Sequence, residues 1–248
     1  MKTRLVMLAY NEEAGIGETL RALRDLKLED LDVIVVDDGS TDRTEEIVRE
    51  MKSTLHLEIL SHGTNRGVAA AFDTGLRYAT EISASDDVII TIEGDGTNGL
   101  ATLAPIIALM REGYDVVCGS RYIRGGAYVG FPLGRHVWSL GANLIMQWYC
   151  GLRPVKDYTL FYRGYRAALL QEAFQRYGRR FIEARGFFSN IEMLVKLSRL
   201  RPLRVAETPV VYSYGAKRSR SKMRVWRNVA EYLRFFVRDF RSPVRPDR

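Results

Sequence analysis

The chain is poor in the residues that would place it in several large classes. Only two of its 248 residues are cysteine, Cys118 and Cys150. They cannot build a disulfide framework, and neither has the paired Cys/His spacing of a zinc site, so a reducing, cytosolic compartment is expected. Seven prolines and 21 glycines beside 46% apolar residues exclude collagen-like, mucin-like and wholly disordered chains. No run of about 18 apolar residues occurs, which excludes an ordinary membrane-spanning helix. The run Leu5–Tyr10 is too short for a signal-peptide core and is closely followed by Glu12-Glu13, so no leader is expected. Two phosphate-binding signatures are missing as well. Where a dinucleotide fold would carry G-x-G-x-x-G the chain reads Ala9-Tyr10-Asn11-Glu12, and no G-x-x-x-x-G-K-[ST] occurs. Hydride-transfer and P-loop chemistries are thereby set aside.

What is present is a core-forming length and an uneven charge. The net charge of +7 conceals 10 Lys/Arg against 20 Asp/Glu in residues 1–100, and 27 against 10 in residues 101–248. An acidic first half suits a cation or the hydroxyls and base of a nucleotide. A basic second half suits phosphates or an anionic membrane surface.

Short β-branched runs at Arg4–Ala9, Val33–Asp37, Leu57–Ser61, Val88–Ile92 and Val116–Gly119 alternate with helical spacing at Glu18–Leu26, Asp42–Met51, Val68–Thr80 and Leu100–Arg111. That alternation predicts an α/β fold with a parallel sheet covered on both faces and ligands at the carboxyl ends of its strands. The polar clusters fall at those ends: Tyr10-Asn11-Glu12, Asp37-Asp38-Gly39-Ser40, Asn65-Arg66-Gly67 and Glu93-Gly94-Asp95. In the second half, Gly125-Gly126 and Gly130 mark a flexible loop. Tyr158–Arg163 reads as a strand, Phe188–Arg199 as a helix, and Leu203–Glu207 and Val210–Tyr214 as extended pieces. Val137–Leu152 carries no charge; a buried core helix and an interfacial, membrane-touching helix both fit it. Val225–Phe240 is amphipathic, with Val229, Tyr232, Leu233, Phe236 and Phe240 on one side and arginines elsewhere.

The chemistry-bearing motifs follow from position. Asp37 to Asp42 closes a strand and opens a helix. Turn and cap chemistry, with Ser40 or Asp42 capping and Glu45 completing a box, accounts for Asp42. It does not account for two acids at the mouth of a buried strand, where an unpaired charge is costly. Glu93-Gly94-Asp95 sets two carboxylates one residue apart in the same crevice, suiting a hard cation such as Mg²⁺ or Mn²⁺ completed by substrate phosphate. A lone acid-x-acid triplet is more often a solvated turn; its place in the crevice lifts this one. Gly119-Ser120-Arg121-Tyr122 and Arg218-Ser219-Arg220-Ser221-Lys222, with Arg135, place cations beside hydroxyls, which suits phosphate oxygens.

These segments resemble family 2 glycosyltransferases of the GT-A fold, and among them the dolichol-phosphate mannose synthases and related polyprenyl-phosphate glycosyltransferases. Arg135 with Ser139, Asp157 to Arg163, Gly186-Phe187 with Glu192, and Arg218 to Lys222 extend the likeness in order over about residues 4–235. The resemblance implies a Rossmann-like, mostly parallel sheet flanked by helices with a C-terminal acceptor-side extension of helices. It implies one domain over residues 1–240, with 1–120 the nucleotide-sugar half, 121–240 the acceptor half with interfacial helices, and 241–248 a flexible tail. By position, Ala9, Tyr10, Glu12, Asp38 and Gly94 would line the donor pocket. Asp95, helped by Glu93 and Thr97, would hold the metal, and Arg218, Ser221 and Lys222 would cover the donor diphosphate. Arg121, Arg135 and Ser139 would hold the acceptor phosphate, making Asp95, Arg121 and Arg135 the catalytic set. Four positions depart from the family pattern: Ala9 for proline, Glu93 for the first aspartate, Thr97 for glutamine and Ser219 for glycine.

The implied activity is metal-dependent, inverting transfer of a hexose from GDP-mannose or a UDP-sugar to a polyprenyl or dolichyl phosphate. A phosphate acceptor is already anionic near neutral pH and needs no strong general base. The alternatives are the same fold acting on a soluble acceptor in polysaccharide or natural-product assembly, and a non-catalytic module binding a membrane surface. The partners expected are the donor, the lipid phosphate, an anionic membrane held peripherally on its cytoplasmic face, and a membrane-anchoring protein. Nucleic acid is not expected.

Overall fold

All seven residues of the first strand, β1 (Thr3–Ala9), are buried, as befits the middle of a sheet covered on both faces. The computed structural model describes residues 1–97, 99–130, 133–152, 154–213, 215, 232, 234, 235 and 237, and of residues 133, 134, 135 and 138 the backbone alone. Four further strands in the first half are β2 (Leu31–Asp37), β3 (Leu57–Ser61), β4 (Val88–Glu93) and β5 (Val116–Ser120). Between them run α1 (Ile16–Asp25), α2 (Thr44–Glu50), α3 (Val68–Glu81) and α4 (Leu103–Arg111). The second half adds β6 (Ala127–Val129), α5 (Leu133–Cys150), β7 (Arg163–Arg166), α6 (Ala167–Tyr177), α7 (Ser189–Leu200), β8 (Val205–Pro209) and β9 (Val211–Ser213).

The main sheet has the order β3-β2-β1-β4-β7-β5-β8. Only β7 runs antiparallel, inserted between β4 and β5, so the expected GT-A architecture, mostly parallel and flanked by helices, is the one observed. Alternate residues of the strands feed two cores, as a period of two requires. Val6, Leu8, Ile34 and Val36 pack with Phe72 and Leu76 of α3, Leu170 of α6 and Leu194 of α7. Leu5, Met7, Val33 and Val35 pack with Ile16, Leu20 and Leu23 of α1, Val48 of α2 and Met110 of α4. Each such fully buried aliphatic side chain stabilises the fold by roughly 1.5–3 kcal/mol. The helix α3 lies so close to the sheet that a Cβ on Gly75 would stand 2.5 Å from Val6 Cγ1 and 2.8 Å from Val36 Cγ2.

Four expectations change. Tyr158–Arg163 is not a strand; the strand begins at Arg163. The backbone of the predicted segment is satisfied by side chains instead of a ladder. Tyr158 N donates to Asn143 Oδ1 at 2.7 Å, and the Tyr158 and Leu160 carbonyls accept from Arg163 Nη2 and Asn190 Nδ2 at 2.6 and 2.7 Å. The glycine-flanked loop after β5 holds a strand, β6, paired in parallel with β9 so that Tyr128 stands opposite Tyr212. The predicted capping box does not form: Asp42 accepts from the Thr44 amide and hydroxyl at 3.0 and 2.5 Å, but Glu45 turns to Arg49 and Ser61. Of the predicted basic helix, Tyr232, Arg234, Phe235 and Val237 are described and helical. Phe235, absent from the predicted apolar side, is buried against Phe188 and Tyr149. The rest of that segment and the tail 241–248 lie outside the described residues.

Candidate active site

The carboxyl ends of β1, β2 and β4 meet in one crevice, and the loops leaving them are stitched together. Asn11, at φ 50°, donates its amide to Ser40 Oγ at 2.9 Å and accepts the Thr41 amide on Oδ1 at 2.8 Å. The Glu12 amide donates to Thr44 Oγ1 at 2.8 Å, and the Glu12 carbonyl receives the first amides of α1. Ala9 is buried, its carbonyl taken by the Asp38 amide at 2.9 Å, while Tyr10 is half-buried. Ala9, Tyr10, Glu12 and Asp38 therefore do stand together, on a floor whose backbone is already satisfied.

Both acids at the end of β2 have partners inside the protein, Asp37 within its own turn and Asp38 on the segment that follows β3. Burial pushes the Asp37 carboxyl up, against the hydroxyl and amide of Ser40 that bond to its Oδ1. Asp38 carries three bonds: His62 Nδ1 and the Arg66 amide on Oδ1 at 2.8 and 2.9 Å, and the Gly67 amide on Oδ2 at 2.8 Å. His62 hands on to Thr74 Oγ1 through Nε2 at 2.9 Å. Asp38 thus anchors the loop before α3, which forms one wall of an open cleft of about 620 Å³. Ile182, Glu183, Ala184 and Arg185 form the other wall. That second wall is held by α7: Glu192 accepts the Glu183 and Ala184 amides, and Lys196, fully buried, bridges Glu192 and Glu183.

The acid turn follows β4. A Cβ on Gly94 would stand 2.9 Å from both the Leu8 carbonyl oxygen and Ile16 Cδ1, so only glycine lets the turn lie against β1 with the Gly94 amide on that carbonyl at 2.8 Å. Asp95 is 5% exposed and accepts the amide and hydroxyl of Thr97 on Oδ1, at 3.1 and 2.6 Å. Thr97, expected as a metal ligand, is itself buried and spends its hydroxyl orienting Asp95. Glu93 is half-buried at the strand end. Among the described residues no cluster of three His, Cys, Asp or Glu could hold a metal. Two carboxylates with phosphate oxygens completing the shell is nevertheless the donor set that Mg²⁺ and Mn²⁺ use at nucleotide sites, so the turn fits such an ion.

Across the crevice, Arg121 is buried and gripped by Asp157. Its Nε donates to Oδ2 at 2.6 Å, its Nη2 to Oδ1 at 2.7 Å and to Thr159 Oγ1 at 2.6 Å. Burial opposes the Asp157 charge, but the Arg121 guanidinium outweighs it and holds the carboxyl below the usual range. Tyr128, Tyr212 and Tyr122 surround the guanidinium, their ring centroids 4.7, 5.6 and 5.8 Å from Cζ. Beside it the hydroxyls of Tyr122, Tyr128, Ser139 and Thr159 contact one another at 2.8–3.2 Å. Arg121 and Ser139 are thus brought together as expected. Arg135 stands one turn before Ser139 on α5 with its side chain outside the described residues, and Arg218, Ser221 and Lys222 lie outside them altogether.

The sequence reading missed Tyr128, Thr159, His62 and Tyr212. Tyr212 joins the two sides of the crevice. Its ring reaches Arg121 on one side; on the other, burial and then the Glu93 and Asp95 carboxylates push its phenol up. The alternation Ala127-Tyr128-Val129 and Val211-Tyr212-Ser213 was the available signal, but three-residue strands fall below what periodicity resolves.

Comparison with known proteins decides the family. The model of glycosyl transferase family 2 matches residues 5–174. The chain belongs to glycosyl transferase family 2. Among family members it is 30% identical over 213 residues to the undecaprenyl-phosphate mannosyltransferase of Micrococcus luteus, covering 86% of this chain and 84% of that one. It is 28% identical to the dolichol-phosphate mannosyltransferase of Pyrococcus furiosus, over 96% of this chain but only 63% of that longer one. The polyprenol monophosphomannose synthase of Mycolicibacterium smegmatis is 26% identical over 69% of this chain and 64% of its own length. Of solved structures, glucosyl-3-phosphoglycerate synthase from Mycobacterium tuberculosis with Mn²⁺ and UDP-glucose superposes at TM-score 0.64, 19% identity and 99% coverage of this chain, 80% of that one. S. aureus TarS with UDP-GlcNAc does so at 0.58, 20% identity and 90% coverage, 60% of its own length. These two share the fold. Membership makes this family 2 glycosyltransferase an enzyme and removes the reading as a non-catalytic binding module.

Proposed function

We propose that this glycosyltransferase moves a hexose, mannose being the sugar named in three relatives, from a nucleotide sugar to a polyprenyl phosphate with inversion. The observation that carries the reading is a juxtaposition. A guanidinium held rigid by Asp157, with four hydroxyls beside it, lies at the root of a helix whose opposite face is apolar and open. On α5, Asn143 and Met146 are buried, whereas Val137, Leu140, Leu144, Ile145 and Trp148 are exposed at helical spacing, Trp148 by 86%. A site for an anionic phosphate beside a surface that suits acyl chains matches a lipid phosphate better than a soluble acceptor. No helix of the described residues is long and apolar enough to cross a membrane. The enzyme is proposed to bind the cytoplasmic face peripherally, with residues 1–120 serving the donor and 121–240 the acceptor.

The chemistry asks for a held nucleophile and a stabilised leaving group. Asp95 and Glu93 would hold a divalent ion, which when bound neutralises charge on the diphosphate. Arg218, Ser221 and Lys222 are proposed to add donors to the departing nucleotide. The acceptor phosphate needs no proton removed, so no carboxylate of the crevice is asked to act as a base. Arg121, Arg135 and Ser139 would orient the phosphate oxygen toward the anomeric carbon, and positioning of that kind supplies a large share of a barrier reduction. Incubation with GDP-mannose and UDP-sugars, with and without undecaprenyl phosphate, tests the reading. Nucleotide release that depends on the lipid phosphate is expected. Release driven equally by a soluble sugar or phosphoglycerate acceptor would replace it.

A further inference from the structure

The two walls of the open cleft are pinned in the same way. On one, Asp38 accepts the successive amides of Arg66 and Gly67; on the other, Glu192 accepts those of Glu183 and Ala184. Both carboxylates are buried, and each has a basic side chain behind it, Lys196 for Glu192 and His62 for Asp38. Lys196 turns back to its own wall at Glu183. His62 instead spans two elements, from Asp38 Oδ1 at the end of β2 to Thr74 Oγ1 on α3, at 2.8 and 2.9 Å, with 7% of the residue exposed. A carboxylate can only accept from the ring, so Nδ1 carries the proton and Nε2 of the neutral ring receives the Thr74 hydroxyl. The segment that Asp38 holds has little else of this kind. Among the described residues, 63–66 make no backbone–backbone hydrogen bond, so the bonds to Asp38 are its polar hold on the sheet.

We propose that His62 is a positioning residue for the donor nucleotide: it holds the Asp38 carboxylate on the Arg66 and Gly67 amides and so keeps segment 65–67 as a fixed edge of the donor pocket. A carboxylate has about four acceptor positions, two on each oxygen. On Asp38, His62 and Arg66 fill both positions of Oδ1, and Gly67 fills one of Oδ2. One position is left for a bound nucleotide, so most of what Asp38 does for the donor travels through the segment it holds. That segment leaves β3 at its carboxyl end, the end at which a parallel sheet receives ligands, and it lines the cleft with Asn65, Arg66 and Gly67. The inference rests on the proposed donor side. It adds that the pocket is shaped from behind by a ring that does not itself touch the nucleotide.

Two polar variants separate the ring's nitrogens. His62→Asn sets a side-chain amide where Nδ1 stands, keeping a donor to Asp38 and dropping Thr74. His62→Gln reaches to the place of Nε2, keeping Thr74 and dropping Asp38. Titration of GDP and UDP with Mn²⁺ reads the donor side without turnover, the KM for undecaprenyl phosphate reads the acceptor side, and thermal unfolding reads the fold. For the Gln variant we expect nucleotide binding about three- to tenfold weaker, the effect of one hydrogen bond lost from the anchor. Its donor KM should rise in step while its acceptor KM stays within about twofold of wild type. The Asn variant should restore nucleotide binding to within about twofold of wild type. A Gln variant that binds nucleotide as tightly as wild type overturns the inference, as does equal weakening in the Asn and Gln variants. A rise in both KM values together with a lowered melting temperature would make His62 a purely structural side chain. Wild type that binds neither GDP nor UDP would overturn the proposed donor side, and the inference with it, whereas binding retained in the Gln variant overturns the inference alone.

Discussion

Asp157 grips Arg121 with both carboxylate oxygens, at 2.6 and 2.7 Å, inside a crevice from which Asp157 is fully shielded. Asp157 is fixed in turn: Glu207 Oε1 accepts the Lys156 and Asp157 amides at 2.8 and 2.9 Å. Such a pair is a support for the cation more than a source of stability, since burying both charges offsets much of their attraction. Breaking it is another matter. Asp157→Asn strands the guanidinium and should cost about 3–5 kcal/mol, seen as a fall of about 10 °C in melting temperature. Arg121→Lys keeps a charge and loses the fork, so it should raise acceptor KM about tenfold with little change in nucleotide titration. Parallel loss of donor binding and stability in the Lys variant would make Arg121 a purely structural cation.

The same pair sets an acid limit. A carboxyl whose folded pKa is lowered contributes stability that is fully present above its unfolded value, about 3.9, and is lost as pH falls through the folded one. Asp157 is held low by Arg121, and Asp87, buried against Arg4 at 2.6 Å, behaves alike. Stability should therefore hold down to about pH 4 and decline below it. In Asp157→Asn the plateau should be lower and the decline shallower. An acid limb of unchanged slope in the Asn variant would mean that other carboxylates govern it.

Asp95 and Thr97 differ in what they offer a cation. Asp95→Ala removes the carboxylate and should abolish transfer, with chelator reproducing the loss in wild type. Thr97→Val leaves the carboxylate but frees it to rotate. It should weaken nucleotide–Mn²⁺ binding about three- to tenfold and leave turnover at saturating donor within reach of wild type. Glu93→Ala should fall between the two. Full transfer by the Asp95 variant in chelator would remove the acid turn from the donor site.

Much of this site was legible in sequence because its parts sit where the hydrophobic pattern stops. The parallel strands are long buried runs, so their ends, and with them Asp38, Asp95 and Arg121, could be numbered in advance. The partners could not. Asp157 is 36 residues from Arg121, and Tyr212 pairs with Tyr128 through two three-residue strands. The segment Tyr158–Arg163 reads as a strand because Tyr158, Thr159, Phe161 and Tyr162 are strand-favouring residues; Arg163 and Asn190 instead take its carbonyls from the side. Side chains that satisfy a backbone at long range leave no period to read.

The exposed apolar stripe on α5 suits the surface of a membrane. Between Val137 and Leu152 there is no charged residue, so attachment through this face should depend on apolar burial and resist salt. Trp148 and Leu144, 86% and 58% exposed, are separated by one helical turn. Replacing both with serine removes two side chains whose full burial is worth roughly 1.5–3 kcal/mol each, so binding to phosphatidylglycerol-containing vesicles should weaken more than tenfold. In our proposal Arg227, Arg234 and Arg238, partly offset by Glu231 and Asp239, add a smaller electrostatic part that salt screens. Wild type should then sediment less at 0.5 M salt than at low salt, and the double variant should sediment less than wild type at both. Unaltered vesicle binding in the double variant, together with a change in its oligomeric state, would identify the stripe as a protein contact and move the acceptor's entry elsewhere.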